Sequence, residues 1–182
     1  MKRKTTSRGL FVGRFQPFHN GHLEAIRYIL EKVDELIIVV GSAQHSHTDT
    51  NPFTAGERIT MIRLALNEAK IESSKYYVIP VPDVTMHSTW LAELKSYVPS
   101  FDVVYSNEPL TRRLVKEANG RIESVPMIKR EIYWATEIRR RMLLGEDWSD
   151  LVPKDVADFI EQISGVERIK DLLKKDFTAS GL

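Results

Sequence analysis

The residues with the clearest chemical potential are two histidines three positions apart, His19 and His22, which end the segment GRFQPFHNGH that starts at Gly13. If a helix begins near Asn20, the free N–H groups of its first turn and the positive end of its dipole would bind an anion. Gly21 would let a phosphate approach the backbone without meeting a Cβ. The two imidazoles would add hydrogen-bond donors on the same side of the helix. The spacing therefore predicts a phosphate-binding turn.

Two ordinary surface histidines are the alternative interpretation of this pattern. We favour the phosphate-binding turn because glycine, arginine, proline and both histidines converge on one connection between a strand and a helix. Two common phosphate-binding fingerprints, G-x-G-x-x-G and G-x-x-x-x-G-K-[ST], are absent from the chain. The histidine segment would therefore have to take over their role.

A second cationic segment contains three consecutive arginines and lies in a helical pattern that starts near Thr136. Successive helical residues are about 100° apart, so the three guanidinium groups fan out and cannot all reach one ligand. Thr136, Arg139 and Arg140 would share one face, while Ile138 and Met142 would form the buried stripe. Alone, the run is equally typical of a solvated basic surface. Together with the histidines, Arg139 becomes a candidate phosphate clamp, because a guanidinium forks onto phosphate oxygens.

Short apolar runs alternate with helical patterns along most of the chain, and this alternation predicts the fold class. Thr54 and Glu57 form a capping box at the start of one helix. Alternation with short connections implies right-handed crossovers, and hence an α/β fold with a doubly wound, parallel five-stranded sheet and a C-terminal helical tail. The predicted strands are residues 10–12, 36–40, 76–81, 101–105 and 122–127.

Ligands of such sheets bind beyond the carboxyl ends of the strands, so the residues that follow each strand are candidate site residues. Asp83 and Asn107 follow the third and fourth strands, and they would either contact ribose and amide groups or only shape turns. Trp90 would either stack on an aromatic ring of a ligand or pack into the core as a helix residue. The other residues at these strand ends are Gly13, Arg14, Gly41, Ser42, Pro82 and Ser106.

Composition excludes several classes of protein. The 182 residues include no cysteine, which excludes disulfides, cysteine-ligated metals and a thiol nucleophile. With 26 basic and 25 acidic residues the net charge is +1, which argues against a general nucleic-acid coat. The longest apolar run, residues 36–40, is too short to cross a bilayer, so we expect a cytoplasmic protein without a membrane partner. We expect a flexible tail at residues 1–8 and one domain over residues 9–182.

His45, His47 and Asp49 lie in one short stretch and raise the question of a metal site. Their spacing is local, and the sequence shows no further ligand that would complete a coordination shell. A flexible loop is therefore the favoured interpretation of this stretch.

The two cationic motifs together carry a family resemblance. The segment from Gly13 to His22 resembles the H-x-G-H motif of the nucleotidyltransferase superfamily, and Thr136 to Arg139 is similar to the end of its second motif, I-S-S-T-x-I-R. Class I aminoacyl-tRNA synthetases share the first motif, but they are much longer and need a K-M-S-K-S loop that is absent here. The fuller resemblance is to the archaeal-type nicotinamide-nucleotide adenylyltransferase family. It spans residues 9–174 and also rests on residues 41–44, 51–58, 76–81, 90 and 165–169.

The resemblance implies a Rossmann-like nucleotidyltransferase fold and adenylyl transfer from ATP to nicotinamide mononucleotide (NMN), with NAD and pyrophosphate as products. It implies that His19 and His22 hold the ATP phosphates, with His22 nearest the α-phosphate. Arg139 would hold the departing β- and γ-phosphates, and Arg14 would lie between the phosphates of the two substrates. The further residues that it implies in ATP and NMN binding are Gly13, Phe15, Gln16, Gly21, Ser42, Gln44, Phe53, Arg58, Asp83, Trp90, Asn107 and Thr136.

The same resemblance implies particular partners. Magnesium or another divalent cation would bridge phosphate oxygens of ATP and keep several waters, without a dedicated protein cage. The small-molecule nucleotides would be the only ligands, with no nucleic acid among the partners. A homo-oligomer is implied as well, with a hexamer as one candidate.

Two departures from the family pattern leave alternatives open. Trp134 and Ala135 stand where the second motif has two serines, and Thr50 stands where such enzymes often carry a basic residue, so contacts from these positions are in question. One alternative is another adenylyl- or cytidylyltransferase of the same fold, with FMN, phosphopantetheine or a phosphorylated alcohol as acceptor. The other is a non-catalytic nucleotide sensor, against which the intact histidine pair and Arg139 argue.

Overall fold

The computed structural model describes residues 6–126 and 133–173, and a single parallel sheet runs through their centre. The strand order is β3-β2-β1-β4-β5, and each of the four neighbouring pairs is parallel. The predicted α/β fold with a doubly wound, five-stranded parallel sheet is therefore confirmed. The strands are β1 (Arg8–Gly13), β2 (Glu35–Val40), β3 (Tyr76–Pro80), β4 (Val103–Tyr105) and β5 (Ile122–Glu123).

Helices connect the strands and then continue beyond the sheet as the predicted C-terminal helical tail. From β1 the chain adds β2 and β3 on one side, and it then returns to add β4 and β5 on the other side of β1. The order in which strands are added therefore switches direction between β1 and β4. Crevices for ligands form at such a switch point. The helices are α1 (Asn20–Leu30), α2 (Ala55–Glu68), α3 (Trp90–Tyr97), α4 (Pro109–Glu117), α5 (Ala135–Leu144), α6 (Lys154–Gln162) and α7 (Gly165–Leu172).

Both faces of the sheet are buried, each under its own hydrophobic core. Successive strand residues point to opposite faces, so neighbouring residues of one strand belong to different cores. Phe11 of β1 and Ile38 of β2 pack into a core formed with α1, α2 and the C-terminal helices. Leu10 and Ile37, one position earlier on the same strands, pack into a second core with α3 and α4. The continuous apolar run at residues 36–40 is thereby explained, since β2 is covered on both faces.

Polar contacts attach the C-terminal helices to α2. The Glu68 carboxylate accepts hydrogen bonds from the backbone N–H groups of Lys154 and Asp155 at the start of α6, at 3.3 and 3.0 Å. Arg168 of α7 donates two hydrogen bonds to the Glu57 carboxylate, at 2.7 and 2.8 Å. The helical tail is thus a packed layer over the face of the sheet that carries α1 and α2.

Two predicted boundaries need correction. The tail predicted at residues 1–8 is too long, because Arg8 begins β1 and Ser7 donates its N–H and its hydroxyl to the Asp34 carboxylate, at 2.9 and 2.8 Å. Residues 1–5 lie outside the described residues. The fifth strand, predicted at residues 122–127, is limited to Ile122–Glu123, because β4 offers it only Val104 and Tyr105 as partners; Met127 lies outside the described residues.

Among residues 6–126 and 133–173, no helix combines the length and the apolar character that spanning a bilayer requires.

Candidate active site

The first turn of α1 holds His19 and His22 in a reciprocal pair of hydrogen bonds. His19 is the N-cap residue, and its Nδ1 accepts from the backbone N–H of His22 at 3.3 Å. The Nδ1 of His22 accepts in turn from the backbone N–H of His19, also at 3.3 Å. The two rings stack with centroids 3.5 Å apart and an interplanar angle of 20°. This arrangement is a capping box in which imidazoles replace the usual hydroxyl and carboxylate.

These hydrogen bonds fix the protonation state of the pair. An Nδ1 that accepts a hydrogen bond carries no proton, so in the neutral ring the proton is on Nε2. Burial lowers the pKa of His19 to about 3. Burial, followed by the charge of His19, lowers the pKa of His22 well below its usual range. Near neutral pH the pair therefore offers two Nε2–H donors and no charge.

Gly21 gives these rings the space they occupy. A Cβ at this position would lie 3.0 Å from Cβ of Tyr133 and 3.1 Å from Nδ1 of His19. Because real Cβ atoms rarely approach neighbours so closely, a side chain here would displace the first histidine ring. The structure thus assigns Gly21 a steric role in addition to the open approach for a phosphate that the sequence predicts.

Two guanidinium groups, those of Arg14 and Arg139, lie close enough to affect each other's charge. Arg14 is exposed just after β1, and Arg139 of α5 is half-buried with its Nη1 donating to the carbonyl of Gln16 at 2.7 Å. Burial, then the charge of Arg14, lowers the pKa of Arg139, while Asp49 acts in the opposite direction. A carbonyl partner leaves the charge of Arg139 in place, so the two cations together form a favourable position for phosphate groups.

The neighbouring arginines of α5 are engaged elsewhere. Arg140 forms ion pairs with Glu137 and Glu146, at 2.8 and 2.6 Å, and Arg141 pairs with Glu137 at 2.9 Å. The prediction that Arg140 shares the ligand-facing side with Arg139 is therefore wrong, because two carboxylates hold Arg140 at the surface. The prediction that the three guanidinium groups fan out and cannot all reach one ligand agrees with the structure, because they have different partners.

Two cavities open at the carboxyl ends of the strands, on opposite faces of the sheet. The α1 cavity has a volume of about 450 Å³. The α3 cavity has a volume of about 250 Å³. Glu108, which follows β4, lines both cavities. The α1 cavity is lined by Phe11, His19, Gly21, His22, Asn107, Tyr133 and Trp134 among others, and the α3 cavity by Gly13, Arg14, Ser42, Asp83, Trp90, Leu94, Ser106 and Thr111 among others.

The wall of the α3 cavity confirms that several predicted strand-end residues meet. Ser42 donates its hydroxyl to Oδ1 of Asp83 at 3.0 Å, and Gln44 accepts the backbone N–H of Asp83 at 3.0 Å. These two bonds join the segments that follow β2 and β3. Trp90 begins α3 and is half-buried, so its ring both packs against the core and lines the cavity. The two interpretations offered for Trp90 are thus compatible.

Four of the predicted nucleotide-binding residues, Phe15, Gln16, Phe53 and Arg58, have buried side chains. Phe15 and Phe53 are core residues with 1% and 0% exposure. The amide of Gln16 donates to the carbonyl of Phe53 and accepts its N–H, both at 3.0 Å. Such side chains hold the loops around the cavities in place.

Arg58 is the most demanding of these buried residues, because it carries a charge at 0% exposure. Its guanidinium donates to the carbonyls of Arg14 at 2.9 Å, Gly41 at 2.8 Å, Ser42 at 3.1 Å and Thr54 at 3.2 Å. Burial lowers its pKa. One side chain therefore joins the loops after β1 and β2 to the start of α2, beneath the cationic part of the site.

Asn107 lines the α1 cavity, whereas Thr136 lies outside the walls of both cavities. The Asn107 amide donates to the carbonyl of Val125 at 2.7 Å and accepts its N–H at 3.2 Å, so it joins the segments after β4 and β5 while it lines the α1 cavity. Thr136 is exposed in the first turn of α5, outside the walls of both cavities. Trp134, not Thr136, is the N-cap of α5, and its side chain makes no capping hydrogen bond.

Sequence reasoning missed Glu108, which caps α4 by accepting the N–H groups of Leu110 and Thr111, at 3.0 and 2.5 Å. Burial alone would raise the pKa of Glu108, but the hydrogen bonds from the Thr111 and Leu110 amides outweigh it and lower the pKa. Its position two residues after Ser106, at a predicted strand end, is the signal that could have revealed it.

The histidine-rich loop shows no metal-binding geometry. In the described part of the chain, no three or more His, Asp or Glu side chains converge as a metal site would require. Nε2 of His45 lies 3.6 Å from the Asp83 carboxylate, which connects this loop to the wall of the α3 cavity.

A doubly wound parallel sheet whose carboxyl edge presents paired N–H donors and two guanidinium groups defines the class of nucleotide-binding α/β proteins. Within that class, the chain belongs to the cytidylyltransferase-like family, whose model matches residues 10–141.

Individual relatives are more specific than the family description. The chain is 49% identical over 170 residues to a protein of Saccharolobus solfataricus named nicotinamide-nucleotide adenylyltransferase. This alignment covers 93% of this chain and 99% of the relative. A protein of Archaeoglobus fulgidus with the same name is 51% identical over 173 residues, with the same coverage of 93% and 99%. The prediction of this family from the two motifs is thereby confirmed.

Solved structures show the same fold. A bifunctional NMN adenylyltransferase/ADP-ribose pyrophosphatase from Francisella tularensis, in complex with AMP and a manganese ion, superposes with a TM-score of 0.78 at 25% identity. The match covers 92% of this chain and 52% of the Francisella chain, so this chain spans about half of that bifunctional protein.

Proposed function

We propose that this protein transfers the adenylyl group of ATP to nicotinamide mononucleotide and releases NAD and pyrophosphate. The observation that carries the proposal is the pair of cavities on opposite faces of the sheet, whose walls share Glu108, shortly after the end of β4. Two nucleotides that enter from opposite faces would bring their phosphates together at Gly13 and Arg14. The names of the archaeal relatives support NMN as acceptor.

The α1 cavity is suited to ATP. Its wall includes both histidines, whose Nε2–H groups would donate to phosphate oxygens without adding charge. We assign His22 to the α-phosphate and Arg139 to the departing β- and γ-phosphates. Arg139 suits that role because burial and the positive charge of Arg14 disfavour its charged form when no ligand is bound. The negative charge of a bound polyphosphate would offset the repulsion between the two guanidinium groups.

The α3 cavity is suited to the mononucleotide. Trp90 offers an aromatic face for the ring, and Arg14, which also lines this cavity, would hold the acceptor phosphate.

The chemistry needs alignment more than proton transfer. An oxygen of the mononucleotide phosphate attacks the α-phosphorus of ATP in line, a new P–O–P bond forms, and the bond to the β-phosphate oxygen breaks with release of pyrophosphate. The attacking phosphate is already an anion near neutral pH, so no general base is required. A neutral, geometrically fixed histidine pair agrees with this role, since it can donate hydrogen bonds but is poorly suited to accept a proton.

We further propose that magnesium enters with the ATP phosphates as part of the substrate. The chain after its N-terminal tail would work as one domain. Copies of this domain would assemble into a homo-oligomer. Light scattering of the purified protein tests the assembly directly. The mass of a single chain at all concentrations would overturn it.

Release of pyrophosphate, measured with a panel of acceptors, tests the proposed reaction. With ATP and magnesium, NMN should support turnover at least tenfold better than FMN, phosphopantetheine or phosphocholine. A preference for one of the other acceptors would mean a different transferase of the same fold. Tight binding of ATP and NMN without turnover would mean a nucleotide sensor.

A further inference from the structure

The ion pair that attaches α7 to α2 lies beside the loop that precedes α2. Arg168 of α7 donates two hydrogen bonds to the Glu57 carboxylate, at 2.7 and 2.8 Å, and a third to the Pro52 carbonyl at 3.2 Å. The side chains of the pair are 21% and 18% exposed. The guanidinium also lies 6.0 Å from the centroid of the Phe53 ring. A forked, largely buried pair of this kind fixes the relative positions of the segments that it joins.

Glu57 belongs both to this ion pair and to the start of α2. Its carboxylate accepts the backbone N–H of Thr54 at 2.8 Å, and its own N–H donates to the Thr54 hydroxyl at 3.2 Å. The same oxygen, Oε2, accepts from Thr54 and from Arg168. Burial alone would raise the pKa of Glu57, but the hydrogen bonds from Arg168 and Thr54 outweigh it and lower the pKa. An ionised Glu57 therefore joins α7 to the capping box of α2.

The peptide unit between Pro52 and Phe53 continues this connection toward the loop after β1. Its carbonyl accepts from Arg168, and its N–H donates to the Gln16 side chain at 3.0 Å. Because a peptide unit is planar and rigid, these two side chains hold its opposite sides. The Gln16 amide also donates to the Phe53 carbonyl at 3.0 Å, and the Gln16 carbonyl accepts from Nη1 of Arg139 at 2.7 Å. A continuous series of hydrogen bonds thus leads from Arg168 to Arg139.

From this series we infer that Arg168 is a positioning residue for Arg139, acting through the peptide unit and Gln16. The inference rests on the proposed function, which assigns the departing β- and γ-phosphates to Arg139. Arg168 itself is paired with a carboxylate and a carbonyl, so its charge is committed within the protein. Loss of its fork would release one side of the peptide unit and disturb the carbonyl that orients the Arg139 guanidinium. A displacement of about 1 Å can lower a rate about 100-fold, so this change would affect the chemical step.

Arg168→Met tests the inference, because it removes the fork and keeps an unbranched side chain. The test measures kcat and the KM for NMN from NAD formation with ATP and magnesium, at a temperature where each variant is folded. Glu68→Ala is the matched control, since Glu68 also attaches the C-terminal helices to α2, but through amides at the start of α6. Arg168→Lys keeps a cation for Glu57 without the fork, and it replaces the methionine variant if that variant does not fold.

We expect Arg168→Met to lower kcat at least fivefold while the KM for NMN stays within twofold of the wild type. Arg168→Lys should give a smaller loss of kcat, and Glu68→Ala should stay within twofold for both values. These results would separate a placed guanidinium from general loosening of the helical tail, which would affect Arg168→Met and Glu68→Ala alike.

A double-variant cycle tests the route through Arg139. Arg139→Met removes the guanidinium that Arg168 would position, so adding Arg168→Met to it should lower kcat by less than a further twofold. An unchanged kcat in Arg168→Met, an equal loss in Glu68→Ala, or a fivefold loss that persists beside Arg139→Met would overturn the inference. If the wild type makes no NAD from ATP and NMN, the proposed function fails instead, and the two failures are thereby distinguished.

Discussion

At the scale of single residues, the site depends on where protons and charges are fixed. The histidine pair satisfies its own backbone N–H groups through Nδ1, which leaves Nε2–H as the donor available to a ligand. Arg139 keeps its charge because its partner is a carbonyl, whereas Arg140 on the same helix is neutralised by glutamates. Similar residue types therefore have different roles that depend on a single partner.

Replacement of His22 by alanine tests the role of the pair in the transition state. Loss of one preorganised donor should lower kcat by about 100-fold or more, while the Kd of NMN changes by less than about threefold. Steady-state kinetics and calorimetric titration with NMN provide the two values. His47→Ala, in the exposed loop, is the control. Equal losses of turnover and NMN affinity, or no loss of turnover, would contradict the assignment.

Arg139→Lys tests the forked contact with the departing phosphates. Lysine keeps the charge but cannot donate to two phosphate oxygens and the Gln16 carbonyl together, so kcat/KM for ATP should fall at least about tenfold, or about 1.4 kcal/mol. Arg140→Lys is a matched control on the same helix, since its guanidinium is occupied by Glu137 and Glu146. Similar losses in both variants would show that α5 contributes only general positive charge.

At the scale of elements, the loops that end the strands are tied together by buried polar side chains. Gln16 pairs with the backbone of Phe53, and Arg58 binds the carbonyls after β1 and β2. These contacts satisfy backbone groups that have no partner in a strand or helix, which is the condition for burying a loop. The cavities keep their shape because these buried hydrogen bonds hold the surrounding loops in place.

Arg58→Met should therefore destabilise the fold rather than only reduce binding. Several buried carbonyls would lose their donors, at a cost of about 3 kcal/mol or more in the free energy of unfolding. Urea denaturation measures this cost. Arg63→Met, an exposed arginine on the same helix, should stay within about 0.5 kcal/mol of the wild type. A similar small change for Arg58→Met would show that water replaces the guanidinium without penalty.

These elements also show what the sequence could and could not predict. Alternation of apolar runs and helical patterns predicted the parallel sheet and its ligand-binding edge, because both follow from local periodicity. The family resemblance placed Phe15, Gln16, Phe53 and Arg58 in the nucleotide-binding set, whereas the structure shows that their side chains are buried and support the loops. A motif records that a residue type is needed at a position, but not whether it touches the ligand or the loop beneath it. Glu108 was missed because no motif of the sequence marks it, and its position in the walls of both cavities becomes visible only in the folded chain.

At the scale of the whole molecule, a buried neutral histidine links stability to pH. The pKa of His19 falls to about 3 on folding, so between that value and about 6.5 the unfolded chain binds a proton that the folded chain does not. The stability is unaffected above pH 6.5 and decreases as the pH falls below it. The pKa of His22 shifts in the same direction.

Urea denaturation between pH 7.5 and pH 5 should show this loss. We expect the free energy of unfolding to fall by up to about 2 kcal/mol over this range through His19, with a further decrease in the same direction through His22. His19→Asn removes one of the two groups and should flatten the profile by a corresponding amount. An unchanged profile in the variant, or stability that rises toward pH 5, would contradict the neutral, buried state of the pair.

The proposed function requires direct transfer between two nucleotides, one in each of the cavities on opposite faces of the sheet. The most direct test uses ATP with a single sulfur of defined configuration on the α-phosphorus, together with NMN and magnesium. One in-line displacement predicts a sulfur-labelled NAD with inverted configuration at that phosphorus. Retention of configuration, or the absence of a labelled dinucleotide, would contradict the account.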